Sequence, residues 1–217
     1  MDPVVMVEQV RDFPRLNREY VRPFDQLVSD ALTPLECLSL LRVVVTGDGD
    51  SYHAAHAAEL AFECLGGVAC EPLSAQRCRD YAVEWLPQPA PRTALVVGVS
   101  ASGQTRRVVE CLERARARHA LTLALTGAPA SPVAAAAECR LVVALPDPVP
   151  SPGLRTYHAS LLGLLLLAIR LGEVRGRYHQ DEANGLRREL AGLADVMAAT
   201  IAAAAAPARA AAEALGD

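Results

Sequence analysis

Five short apolar runs recur along the middle of this chain, each followed by a stretch of different periodicity, and that alternation restricts the fold more than any other feature. The runs are Arg42–Thr46, Val68–Glu71, Ala94–Val99, Leu121–Thr126 and Arg140–Leu145. Most are near-continuously apolar and rich in valine or leucine, as a parallel strand covered on both faces requires. Between them, helical spacing predicts helices over Ser51–Leu65, Ser74–Trp85, Gly103–His119 and Ser131–Glu138. Strands alternating with helices imply a parallel sheet with right-handed crossovers. The expected class is therefore α/β: a five-stranded parallel doubly wound sheet flanked by helices, with helical N- and C-terminal extensions.

The flanks read differently. Val4, Val7 and Val10, then Leu27, Val28, Ala31 and Leu32, keep helical spacing, and Pro14 and Pro23 interrupt it, so two or three short helices are expected there. After the fifth run comes a proline-rich loop over residues 146–153, then an apolar helix over Thr156–Leu171. The segment Asp181–Leu215 predicts one or two amphipathic helices broken at Pro207. Alanine favours helix but buries little surface, so this tail must lean on something larger. The expected division is a helical segment 1–39, a sheet domain 40–175 and a helical tail 176–217. The longest apolar stretch, Ala159–Ile169, falls short of the roughly 20 residues of a membrane span and predicts a buried helix. No basic segment leading into an apolar run and cleavage site opens the chain, so the expected setting is cytoplasmic, with no membrane partner.

Charge narrows the chemistry. The formal net charge is −4 and all 21 basic residues are arginine. A nucleic acid partner is not expected without a basic field, and without lysine neither a Schiff base nor a Walker-type phosphate lysine can arise from this chain. Six cysteines (Cys37, Cys64, Cys70, Cys78, Cys111, Cys139) are scattered without a CxxC pair. The expectation is reduced structural thiols, with no metal and no cofactor.

Two strand-to-helix junctions could hold a ligand. The first runs Thr46-Gly47-Asp48-Gly49-Asp50-Ser51-Tyr52, with Ser51 expected as the N-cap of the next helix. The second runs Ser100-Ala101-Ser102-Gly103-Gln104-Thr105. Helix N-termini present unsatisfied N–H groups, and serine and threonine hydroxyls add neutral donors, so such junctions accept phosphate without a lysine. They follow the first and third strands, at the carboxyl ends where doubly wound sheets bind ligands. Serine and glycine in such loops also simply cap helices. It is the recurrence at two corresponding ends that favours a site.

The wording of these loops resembles the sugar isomerase (SIS) domain family. The family's first loop, written CGTSY or similar before a helix ending in FExLAG, is matched by Asp48–Tyr52 and by Phe62-Glu63-Cys64-Leu65-Gly66-Gly67. Its SxSGET signature is matched by Ser100–Thr105. Its TKTYTAQL segment, opening a long apolar helix, is matched by Leu154-Arg155-Thr156-Tyr157-His158-Ala159-Ser160-Leu161. The matches span about residues 40–172 and resemble the first SIS lobe of glutamine:fructose-6-phosphate aminotransferase-like phosphosugar isomerases.

The resemblance implies a sugar-phosphate ligand, with Gly49, Asp50, Ser51, Ser100, Ala101, Ser102, Gly103, Thr105 and Arg155 at the site. Ser51, Ser100, Ser102 and Thr105 would contact the phosphate, and Gly49 and Gly103 would permit close approach. Asp50 stands where the family has threonine or serine; an anion facing inward would repel phosphate, so it is expected to turn outward or to bond sugar hydroxyls. Arg155 stands where lysine is usual and could clamp phosphate bidentately, or be a helix-terminal surface arginine.

No catalytic residue is assigned. Aldose–ketose isomerisation needs a base and a ring-opening acid; Glu59, Glu63, His53, His56 and His158 are the residue types available nearby. The family's glutamate after the second strand has no clear counterpart, since Gln76 or Arg77 stands there. Gly98–Ser102 lacks the final glycine of a nucleophile elbow, and His53 and His56 lack a third metal ligand. The alternative to an isomerase is a non-catalytic or regulatory sugar-phosphate module, or one lobe of a two-SIS enzyme whose catalytic residues lie elsewhere. The expected protein partner is a second copy in a homodimer or a second SIS lobe.

Overall fold

A computed structural model describes residues 3–86, 91–146 and 153–216. Five strands form one parallel sheet: β1 (Arg42–Gly47), β2 (Ala69–Ser74), β3 (Ala94–Val99), β4 (Leu121–Thr126) and β5 (Cys139–Val142), in the order β2-β1-β3-β4-β5. Their registers, Arg42↔Ala69, Arg42↔Ala94, Leu95↔Leu121 and Leu123↔Cys139, keep every pair parallel. The expected α/β class and strand number therefore hold. β5 is shorter than its apolar run because pairing with β4 ends at Val142. The chain builds outward from β1 in one direction to β2 and in the other to β3, so the topological switch lies between β1 and β3.

Side chains alternate between two apolar layers. Val43, Val45, Leu95, Val97, Val99, Leu121, Leu123 and Leu125 face one layer, together with Phe62 of α3 (Asp50–Cys64) and Leu164, Leu166, Leu167 and Leu171 of α7 (Leu154–Val174). Val44, Ala94, Val96 and Ala124 face the other, with α4 (Ala75–Asp80), α5 (Arg106–Ala117) and α6 (Pro132–Ala136). A short 3₁₀ turn, Ala82–Trp85, follows α4. The helix expected over Ser74–Trp85 is thus two pieces, and Ser74 caps the first by accepting from the Arg77 N–H. Much of the expected proline-rich loop, residues 147–152, lies outside the described residues.

The terminal helices depart from expectation. α1 (Pro3–Ala31) runs unbroken through Pro14 and Pro23, and α8 (Gln180–Gly216) runs through Pro207. A proline inside a helix costs about 3 kcal/mol or more. α1 offsets this by burying Leu16, Val21, Phe24 and Val28, at roughly 1.5–3 kcal/mol for each large side chain. It packs on α7 and α8. There Asn17 donates to the Leu190 carbonyl at 2.7 Å, and Arg187 of α8 joins Asp25 of α1 to Glu173 of α7, both at 2.7 Å. α8 is exposed beyond Ile201, where alanine propensity alone favours helix on both sides of Pro207. Both α7 and α8 are long and apolar enough by composition to cross a membrane, but α7 is the core helix of the sheet. α2 (Pro34–Ser39) starts with a capping box, Glu36 N–H to the Thr33 hydroxyl and Thr33 N–H to the Glu36 carboxylate.

Candidate functional site

At the carboxyl ends of β1 and β3 the two serine-bearing loops and the start of α7 enclose a cleft of about 240 Å³. It is lined by Asp48, Asp50 and Ser51 from the first loop, Ser100, Ala101, Ser102 and Thr105 from the second, and Gly153, Thr156, Tyr157 and Ser160 from α7. Ser51 and Ser102, 51 positions apart in sequence, share one concavity because β1 and β3 are neighbours with Thr46 opposite Gly98.

Each wall has its own support. In the first loop Gly49 has φ +54° and forms the N-cap of α3, while Ser51 lies inside the first turn. Ser51 is therefore not the cap, which leaves its hydroxyl free of that duty. The second loop is tied by backbone bonds to β4, to the residue after it and to α6: Ser100 N–H to the Leu125 carbonyl (3.0 Å), Gly127 N–H to the Ala101 carbonyl (3.1 Å) and Val133 N–H to the Gly103 carbonyl (3.1 Å). Thr105 precedes α5 without capping it through its side chain; its hydroxyl lies 2.8 Å from that of Ser100. Ser102 accepts from the Gln104 N–H at 3.3 Å.

Gly103, expected at the site for close approach, has a structural reason for its bareness within the protein. At φ +66°, a Cβ there would come within 2.1 Å of the Ser131 hydroxyl oxygen. The close approach is to the loop after β4, and it fixes the serine loop from behind. Gly49 has open space where its Cβ would be, and within the protein it is its positive φ that favours glycine.

Arg155, expected as a phosphate clamp or a helix-terminal arginine, is placed behind the cleft. It is not among the residues lining the cleft. It is buried, with Nη2 3.4 Å from Asp12 Oδ2 of α1 and Nη1 3.5 Å from the Pro146 carbonyl. The residues that α7 does present, Gly153, Thr156, Tyr157 and Ser160, follow i, i+3, i+4, i+7 spacing, one helix face to which position 155 does not belong. That spacing was available in the sequence and would have found Thr156, Tyr157 and Ser160. Asp48 was quoted only as part of the loop.

The cleft is electrostatically unusual for an anion site. Asp48 and Asp50 line it, and among the described residues no arginine does. Arg107 reaches Asp48 only at 3.8 Å and is half exposed. Asp50 does not turn away: its Oδ2 lies over the bare backbone of Gly153, where a Cβ would come within 3.1 Å. What remains to hold phosphate is the hydroxyl set, with the N-terminal turns of α3 and α5.

The other residue types named for catalysis lie off the cleft. His158 stacks on Phe13 of α1 at 5.4 Å, and burial lowers its pKa. His53 and His56 lie against Tyr52, and Glu63 is exposed on α3. Burial pushes the Cys70 thiol up to about 12 and Cys139 up to about 11, so neither supplies a thiolate near neutral pH. A larger groove, about 660 Å³ between α1 and α8, is mainly apolar, with Arg11 and Arg209 among its lining residues, and lies apart from both serine loops.

Comparison with known proteins agrees with this geometry. The SIS domain model matches residues 40–170. A glutamine–fructose-6-phosphate aminotransferase (isomerizing) of Symbiobacterium thermophilum is 32% identical over 172 residues, covering 78% of this chain and 27% of the relative. That of Streptomyces coelicolor is 29% identical over 154 residues, covering 70% and 24%. The chain thus spans about a quarter of the length of these curated relatives. Among solved structures, the C-terminal domain of glucosamine-fructose-6-phosphate aminotransferase from Francisella tularensis superposes with TM-score 0.70 at 14% identity, covering 86% of this chain and 53% of that one. A protein of Salmonella typhimurium LT2 with a suggested sugar-binding role gives TM-score 0.74 at 21% identity, covering 97% and 62%.

Proposed function

The chain belongs to the SIS domain family, and from that premise we propose that it binds a small sugar phosphate in the cleft beyond β1 and β3, within a phosphosugar isomerase. The observation that carries the reading is the convergence of Ser51, Ser100, Ser102 and Thr105 on one concavity at the switch point of the sheet. Hydroxyls and helix N-termini replace the missing lysine as phosphate donors. Gly49 and Gly103 act through the loop conformations they permit, and Ala101 through its place in the second loop. Arg155 acts from behind, holding the start of α7 to α1 through Asp12.

A thermal-shift panel of sugar phosphates tests this. Binding to the folded state raises the melting temperature by mass action. We expect a hexose 6-phosphate to stabilise the wild type and Ser100→Ala to weaken that binding about tenfold, the scale of a hydrogen bond to a charged group. No shift with any sugar phosphate would reject the proposal.

A second reading, binding without turnover by this chain, is favoured by one observation: among the described residues the cleft is lined by neither a histidine nor a glutamate. Under it, isomerisation depends on residues of a second lobe or copy. The apolar groove between α1 and α8 is the surface we assign to that pairing. A coupled isomerase assay at protein concentrations spanning self-association, measured by light scattering, separates the two. Turnover by a monomer rejects the binding-only reading.

A further inference from the structure

We propose that the outer face of α4 and α5, centred on Tyr81 and Trp85, docks a segment of a partner protein in which carboxylates flank an apolar side chain. The 3₁₀ turn after α4 divides its side chains two ways. Val83 and Leu86 are buried in the layer with Val96 and Leu112, whereas Tyr81 and Trp85 are 67% and 81% exposed. Trp85 is the chain's single tryptophan, and leaving it in water forgoes one of the largest apolar burials a side chain can offer. Isolated apolar residues are ordinary on a protein surface. Two aromatics four positions apart within a frame of arginine instead match the core of an interface, where tyrosine, tryptophan and arginine are enriched.

The arginines come from both helices. Arg77 is exposed one turn before Tyr81, whose N–H donates to the Arg77 carbonyl at 3.1 Å. From α5, Arg114 donates to the Arg79 carbonyl at 2.8 Å and Arg118 pairs with Glu84, so both guanidinium groups reach across to the turn. Residues 75–86 and 106–118 carry seven arginines against four carboxylates, on a chain whose formal charge is −4. Three of those carboxylates are already occupied, Asp80 by Arg79, Glu110 by Arg79 and Arg106, and Glu84 by Arg118. Arg77 and Arg114 enter no ion pair among the described residues, which leaves guanidinium donors for carboxylates of a partner. A nucleic acid carries a charge at every phosphate and calls for a row of cations along its backbone. Here the cations frame an apolar centre, a pattern that fits carboxylates around an apolar anchor. The face lies across the sheet from the groove between α1 and α8, so docking here leaves that groove accessible.

The lone tryptophan makes this face report on itself. The probe is a fluorescein-labelled short peptide of alternating glutamate and phenylalanine, titrated with the full chain by fluorescence anisotropy. The same peptide with lysine for glutamate, and an oligouridylate of similar length, are the comparison ligands. We expect the acidic peptide to bind at micromolar concentration, and more weakly at high salt. Its unlabelled form should shift the Trp85 emission to the blue and shield it from iodide. Trp85→Ala should weaken binding about thirtyfold and Arg77→Glu about tenfold. Trp85→Phe should keep most of the affinity, and Arg209→Glu on α8 should leave it unchanged. The substituted side chains are exposed, so the variants should share the wild-type melting temperature. Absence of binding by the acidic peptide, equal binding of the lysine peptide, or undiminished binding in Trp85→Ala overturns the proposal. Tighter binding of the oligouridylate, lost in Trp85→Ala and Arg77→Glu, overturns the assignment to a protein segment in favour of nucleic acid.

Discussion

The two faces of the sheet are built from different materials. On one, leucines of β3 and β4 meet Phe62 and the leucines of α7, and α1 covers that layer with Val21, Phe24 and Val28. On the other, Val44, Val96 and Ala124 meet Cys78, Cys111, Ala115 and Ala136 beneath the single layer α4–α6. The cleft borrows from both: α3 and α7 belong to the thick side and α5 to the thin side. The serine loop on the thin side is accordingly held less by apolar mass than by backbone bonds to β4, Gly127 and α6 and by the Gly103–Ser131 contact. A binding site can thus have one wall fixed by packing and the other by hydrogen bonds.

Matched truncations sharpen that contrast. Leu164→Ala on the thick side should cost about 4 kcal/mol and Leu112→Ala on the thin side about 2–3 kcal/mol, because a single helix layer collapses more readily onto a cavity. Urea denaturation measures both, and equal costs would remove the distinction. Gly103→Ala comes next, at about 2–3 kcal/mol, combining a left-handed backbone with an overpacked contact. It should abolish the ligand-induced thermal shift as well. Retained binding would show that the serine loop does not depend on that contact.

Pro23→Ala is a smaller effect, of opposite sign. Pro23 is exposed on α1 and cannot donate to the Glu19 carbonyl. Alanine should raise stability by about 1 kcal/mol, the gain in helix propensity being partly cancelled by a freer unfolded chain. A loss of stability would mean that the ring itself packs where α1 covers the thick side.

These elements also show where the sequence was readable. The strands were legible because burial on both faces leaves continuous apolar runs, and β3 and β4 fall on their expected bounds, Ala94–Val99 and Leu121–Thr126. The convergence of the two serine loops followed from motif and topology together. The unbroken α1 and α8 did not, because a local rule about proline carries no information on the partners that offset its cost. Arg155 shows a related limit. Its residue type suited phosphate, but the helix face it occupies turns it toward Asp12. The motif around Gly103 does not reveal that the atom close to where its Cβ would stand belongs to Ser131, 28 positions onward in a different loop.

The smallest expected effect concerns the contact between α1 and α7 beside the cleft. His158 stacks on Phe13 with Nε2 buried and unpartnered, and burial lowers its pKa below the ordinary value. The unfolded chain, titrating near about 6.5, then binds the proton more readily than the folded one. The stability contributed by neutral His158 is therefore complete above that pH and is lost as pH falls from there toward the folded value. Thermal unfolding at about pH 7.5 and about pH 5.5 should show a decline in the wild type that is reduced in His158→Phe, which keeps the ring stack and removes the titration. Parallel declines in the two proteins would assign the acid sensitivity elsewhere. Because His158 and Tyr157 are adjacent on α7, the same acidification should loosen the α7 wall of the cleft before the β4-anchored serine loop. Sugar-phosphate affinity would then fall together with stability in the wild type, and less steeply in His158→Phe.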